Sequence, residues 1–185
     1  VVSSCKIMYK PSMQNVPLLK EKAEFKSTLS YNNYQFAYSV TDNIGLMLNG
    51  HYNSHSWASS FDETSKKEYD TKRLSVDVGG GYFNHFSENA IYEVYGGLGY
   101  GKYDFDYDKF DNDNYSGTNK YDAESVRAFI QPSIGYCHEN VEIAFSTRLM
   151  AVNFINTHHK NYTENELIQE DIYALGNNIY PFLEP

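Results

Sequence analysis

Cysteine is nearly missing from this chain. Cys5 and Cys137 cannot build a disulfide scaffold or a four-ligand zinc site. Basic charge is also scarce. Fifteen Lys and Arg stand against 24 Asp and Glu, a net −9, and only Arg73, Arg127 and Arg148 are arginines. That balance excludes a nucleic-acid partner, because phosphate binding needs a basic face. No run of 18 apolar residues occurs, which excludes a spanning helix. Tyrosine is abundant: 18 of them, with 11 Phe, in 185 residues whose mean hydropathy is −0.59. The length suits a single domain with a sizeable core.

Period-2 alternation, the strand signal, runs from Glu24 onward. Leu74, Val76, Val78 and Tyr82 share one face, opposite Arg73, Ser75, Asp77, Gly79 and Gly81. Ala90–Tyr103, Val126–Tyr136, Val141–Val152, Ile44–Asn53 and Tyr34–Thr41 repeat the pattern, and Ile179 opens what reads as a further strand. Pro132 falls mid-strand on the apolar face, where it removes a ladder donor; it marks either a bulge or the junction of two shorter strands. The connections alternate in length. Thr41–Asn43, Asn84–Asn89 and His138–Asn140 are short, whereas Ser54–Asp70, Asp104–Lys120 and Asn156–Asp171 are long and polar. Short turns at one end, long loops at the other and strands of about ten residues are the pattern of a membrane barrel.

In such a barrel the apolar face meets lipid and the polar face fills the interior. Tyr82, Tyr92 and Tyr136 lie on the apolar face beside the short turns, and Tyr52 and Tyr100 on it at the long-loop end. This placement predicts two aromatic girdles, where an apolar ring and a wet hydroxyl are both satisfied. Arg73, Arg127, Arg148, Asp77, Glu93 and Glu142 all fall on the polar face, joined by Gln131. Inside a dry core six charges would be very costly, whereas in a narrow polar interior they pair. Two rungs are expected: Glu93–Gln131–Arg148, and Asp77–Arg127 meeting across Gly97.

Val2-Ser3-Ser4-Cys5 resembles a lipobox, with Cys5 as the lipid-attachment residue. Residues 1–4 then end a signal peptide, 5–23 form a periplasmic tether with Pro11 and Pro17, and 24–185 form the barrel. With Gln131-Pro132-Ser133-Ile134-Gly135-Tyr136 and Tyr95-Gly96-Gly97-Leu98-Gly99-Tyr100, the pattern resembles the small outer-membrane β-barrel proteins of Gram-negative bacteria, in a lipoprotein variant. The resemblance implies an all-β, antiparallel up-and-down transmembrane barrel of eight or ten strands in the full protein. The N-terminus would be periplasmic and the long loops extracellular. It carries no catalytic residues. Pro185 lacks the terminal aromatic common in these barrels, so the last strand reads as incomplete.

No cofactor or metal site is legible. His158-His159 is a weak metal signal, because adjacent side chains point apart in an extended chain. Asp104, Asp106, Asp108, Asp111 and Asp113 form the sharpest acidic cluster. Its alternation with Tyr103, Phe105 and Tyr107 suggests a strand continuing above the membrane. It reads as a solvated acidic loop, or as a site for calcium or a cation bridge to lipopolysaccharide phosphates, and it fails the EF-hand pattern. The functional expectation is a non-enzymatic barrel with a salt-bridged interior. Its partners would be outer-membrane lipid, lipopolysaccharide, and an extracellular protein or glycan met through the long loops. Two rivals stand beside it. A periplasmic lipocalin-like lipoprotein would bind a small apolar ligand and place Leu74, Val76 and Val78 inside. An outer-membrane lipid hydrolase has only His55 with Ser54, Ser56 and Asp62 as material.

Overall fold

The computed structural model describes residues 13–62, 65–111, 114–162 and 178–184. Those residues contain strands and no helix. The strands are β1 (Phe25–Leu29), β2 (Asn33–Ser39), β3 (Ile44–Asp62), β4 (Ser65–Ser87), β5 (Ala90–Asp111), β6 (Asn114–His138), β7 (Val141–Ser146), β8 (Arg148–Lys160) and β9 (Ile179–Glu184). They form one antiparallel up-and-down sheet in the order β1-β2-β3-β4-β5-β6-β8-β9, with β7 also on β6.

β7 and β8 are one strand interrupted once. Ser133 pairs Ser146 and Ile130 pairs Leu149, so the register is continuous across Thr147. The interruption lies opposite Pro132. The Thr147 amide donates to the Pro132 carbonyl at 3.2 Å. In an antiparallel ladder the same residue returns its own N–H to that partner, and proline has none. The Pro132 side facing β5 keeps its register with Val94. The nine segments are therefore eight crossings of the sheet.

The sheet is strongly curled. Residues 13–19 touch β2, β3, β5, β6 and β9 at once, through Gln35, Asn49, Glu93, Gln131 and Glu184. Only a sheet rolled around that segment can supply all five. Closure into a barrel is not reached: β1 and β9 are not hydrogen-bonded to each other among the described residues. The expectation of a closed barrel is corrected to that extent. Lys26 on β1 reaches Glu142 on β7 by side chain alone, at 3.1 Å.

The long polar connections are also not all loops. β3 and β4 stay paired up to Asp62↔Ser65, and β5 and β6 up to Asp111↔Asn114. β4, β5 and β6 have 23, 22 and 25 residues. A membrane crossing needs about 9–11. Roughly a dozen residues of each strand extend further, about 40 Å along the strand at ~3.3 Å per residue. Ladder hydrogen bonds continue because Trp57, Tyr69, Phe105 and Tyr107 give the extension an apolar side of its own. Trp57 stacks on Tyr69 with centroids 5.0 Å apart, and Tyr69 contacts Tyr107 at 5.7 Å.

The two faces differ sharply. Leu46, Leu48, Leu74, Val76, Val78, Leu98, Val126, Ile130, Ile134 and Leu149 point outward and are exposed, Leu98 by 65%. Arg148, Glu93 and Gln131 point inward and are fully buried, with Asp77 and Arg127 nearly so. The arrangement with Leu74, Val76 and Val78 inside, which a lipocalin-like barrel requires, is the reverse of this.

Candidate functional site: the polar interior

Glycines make room for the interior charges. Asp77, Gly99 and Arg127 are level on β4, β5 and β6. Arg127 Nε donates to Asp77 Oδ1 at 2.7 Å, across the space where Gly99 has no side chain. The sequence reading put Gly97 there; the true register is two residues further on. Gly97 serves a different neighbour, since a Cβ on it would lie 2.6 Å from Phe129 Cζ. Arg148 Nη1 is 3.8 Å from Asp77 Oδ2, so one carboxylate faces two guanidinium groups. Arg148 also donates to Gln131 Oε1 from Nε and Nη2, at 2.9 and 2.6 Å, and its guanidinium lies 4.7 Å from the Phe129 ring centre. Gln131 and Arg148 thus form two of the three members of the expected rung; Tyr95, not Glu93, is level with them on β5.

Glu93 sits one rung lower, level with Ser133, and does another job. Its Oε1 accepts the Leu19 amide at 3.0 Å. Glu93 belongs to a set of side chains that hold the N-terminal segment. Gln131 Nε2 donates to the Asn15 carbonyl at 2.7 Å, Gln35 Nε2 to the Met13 carbonyl at 2.8 Å, and Asn15 Nδ2 to Asn49 Oδ1 at 2.9 Å. A strand-free segment buried inside a sheet must find such partners for its backbone, or each unpaired group costs about 1–3 kcal/mol. Leu18 and Leu19 anchor it, each worth about 1.5–3 kcal/mol of burial. Glycine notches receive them. A Cβ on Gly135 would lie 2.5 Å from Leu18 Cδ1, and one on Gly45 2.7 Å from Leu19 Cδ1. Leu18 itself takes a left-handed backbone, φ 46°.

The remaining charges separate from this network. Glu142 lies near the short-turn end, ion-paired with Lys26 at 3.1 Å and Lys20 at 3.5 Å. Arg73 lies above the central rung, its Nη2 donating to Tyr103 Oη at 2.7 Å and its guanidinium 4.7 Å from the Tyr103 ring centre. Burial raises the Tyr103 phenol, and Arg73 opposes that shift. His51 Nδ1 is 3.0 Å from Asn33 Oδ1. His55, the nearest hydrolase material, stacks on Trp57 at 5.6 Å.

Outside, Tyr52, Tyr82, Tyr92, Tyr100 and Tyr136 are all exposed and outward. Tyr34 and Tyr38 join them, and neither was singled out from the sequence. Tyr82 and Tyr92 have centroids 6.2 Å apart. Tyr34 and Tyr100 share one level through Gly50 and Val76. Tyr92 and Tyr100 are eight residues apart on β5, about 26 Å along the strand.

Asp104, Asp106 and Asp108 face outward on the β5 extension. Asp106 accepts Lys120 Nζ at 2.7 Å, and that bond holds the Lys120 ammonium above its ordinary range. Asp104 is 4.0 Å from Lys102, and Asp108 accepts the Thr118 hydroxyl. Asp111 pairs with Asn114 in the ladder; Asp113 and Cys5 lie outside the described residues. Among the described residues no group of three or more His, Cys, Asp or Glu is placed to hold a metal ion. No protein-family model, curated protein or solved structure matches this chain.

Proposed function

We propose that the chain is a non-enzymatic outer-membrane protein of β-barrel type, its sheet open between β1 and β9 among the described residues, whose interior is plugged by its own N-terminal segment and a buried charge network. One observation carries the reading: the sheet is inverted relative to a soluble barrel, with an exposed aliphatic band outside and Asp77, Arg127 and Arg148 inside. Exposed apolar patches on soluble monomers rarely exceed a few hundred Å². Here the band runs along successive strands and is bordered by tyrosines at both ends, as a lipid-facing surface requires. The spanning segments run between the rings, Tyr92–Tyr100 on β5 being the example. Eight crossings give an interior just wide enough for side chains to fill. Met47, Tyr95, Phe129 and Arg148 occupy it with Leu18 and Leu19, which favours a structural or surface-interaction role over conduction.

The strand extensions are the interaction surface in this reading, with lipopolysaccharide, a glycan or another protein as partner. The lipid on Cys5 and the periplasmic N-terminus belong to the same proposal. Residues 13–19, which the sequence reading put in a tether, act here as the plug, so any tether lies before Met13. The test is detergent dependence. The chain should fold and stay monomeric only with micelles or bilayers, and should migrate differently on gels before and after heating. Clean monomeric behaviour in plain buffer would overturn the reading.

A further inference from the structure

The interior holds a cavity of about 50 Å³ just above the Asp77–Arg127 pair, with Arg73, Arg127, His51, Ser75, Ser125 and Tyr103 among its walls. No carboxylate lines it. Arg127 is 8% exposed, and its Nη2 has no hydrogen-bond partner among the described residues; the Arg73 Nε has none either. Asp77 is bonded to Arg127 through Nε and is already shared with Arg148. Gly101 keeps the space open, since a Cβ on it would lie 2.8 Å from Ser125 Oγ.

We propose that this cavity is a binding site for a small oxyanion, a phosphate-type group held between the Arg73 and Arg127 guanidiniums. Buried cationic donors need a counter-charge or a full hydrogen-bond set, and Asp77 supplies only part of one. Arginine forks match oxyanion geometry better than any other side chain. The serine hydroxyls can each donate one further bond. The cavity holds more than one water-sized volume, so a polyatomic anion fits where a single water would not satisfy both forks. The site depends on the interior packing alone, and stands whatever surrounds the sheet.

Calorimetric titration of the full chain with inorganic phosphate, at constant ionic strength and against chloride, tests this. A saturable one-to-one heat with phosphate and none with chloride is expected. Arg73→Gln should weaken it about tenfold or more, the loss of roughly one charge-assisted bond. Gly101→Ala, which narrows the cavity and leaves both arginines in place, should weaken it as well. Glucose 6-phosphate in parallel separates the sources: binding of both probes assigns the site to a phosphate carried on a larger molecule, and binding of phosphate alone to a free ion. No saturable heat with either probe, equal heat with chloride, or unchanged affinity in both variants would overturn the proposal and leave the cavity to water.

Discussion

Gly99→Ala isolates the central ion pair with one methyl group. The Cβ would lie 2.6 Å from Arg127 Nε and 2.9 Å from Arg127 Cγ, and would overlap Asp77 Oδ1. Ordinary carbon contacts sit near 3.5–4.0 Å, so the pair must open by about 1 Å. Neither partner can yield cheaply. Asp77 is a short side chain facing two guanidiniums, and the Arg127 stem is buried beside β5. Overpacking alone costs about 1–3 kcal/mol, and separating a buried pair about 3–5 kcal/mol. A partial opening predicts about 3 kcal/mol. With a urea slope of about 2 kcal/mol/M, the unfolding midpoint falls by about 1.5 M. Gly96→Ala is the control on the same strand. Its Cβ would point outward, with Phe129 O at 3.7 Å as its nearest neighbour, so it should move the midpoint little. Equilibrium unfolding in micelles, followed by Tyr and Trp fluorescence, measures both. Equal stability of the two variants would refute the register that places Gly99 between Asp77 and Arg127.

Leu98→Arg should cost about 2–4 kcal/mol in bilayers, because Leu98 lies mid-band and outward; a cost under about 0.5 kcal/mol, the norm for a solvated surface, would count against lipid contact. Asp77→Asn removes the carboxylate shared by Arg127 and Arg148 and should destabilise by about 3–5 kcal/mol, read by the same urea assay. Glu93→Ala frees the Leu19 amide, so limited proteolysis should cut within 13–20 faster than in the parent; an unchanged cutting rate would show that Glu93 does not hold the segment. Pro132→Ala restores a ladder donor to Thr147, and hydrogen exchange should find the new amide at 132 protected, with a gain of about 0.5–1.5 kcal/mol.

Much of the interior was legible because alternation sorts side chains to faces before any contact is known. Arg127, Arg148, Asp77 and Glu93 are inward for the same reason that Leu98 and Val126 are outward. The Gln131–Arg148 part of its rung followed from counting across a short turn, where an error has little room to grow, whereas Glu93, counted level with them, stands two residues away, level with Ser133. The Asp77–Arg127 rung also formed, but the same counting named the wrong glycine between them. A slip of two residues keeps every side chain on its face and so leaves no trace in the pattern. The alternation of Asp104, Asp106 and Asp108 with Tyr103, Phe105 and Tyr107 already signals a strand running on, and β5 continues to Asp111. The matching extensions of β3, β4 and β6 lie in stretches whose polar composition reads as loop. Gln35 and Asn49 were on the polar face all along, but nothing local says that they hold Met13 and Asn15.

Sequence alone determined the strand periodicity, the two chemically opposite faces and the hairpin order, because each depends on residues close in the chain. It also placed Tyr82, Tyr92 and Tyr136 at the short-turn end and Tyr52 and Tyr100 at the other. The tertiary structure decided the exact rungs, the continuation of β3–β6 far past the tyrosines, the single interruption at Thr147 and the gap between β1 and β9. It also decided that Leu18 and Leu19 enter the interior. Those outcomes depend on ladder register, and on a segment whose hydrogen-bond partners are spread across the sheet from β2 to β9. Such partners exist only once the sheet has curled around it.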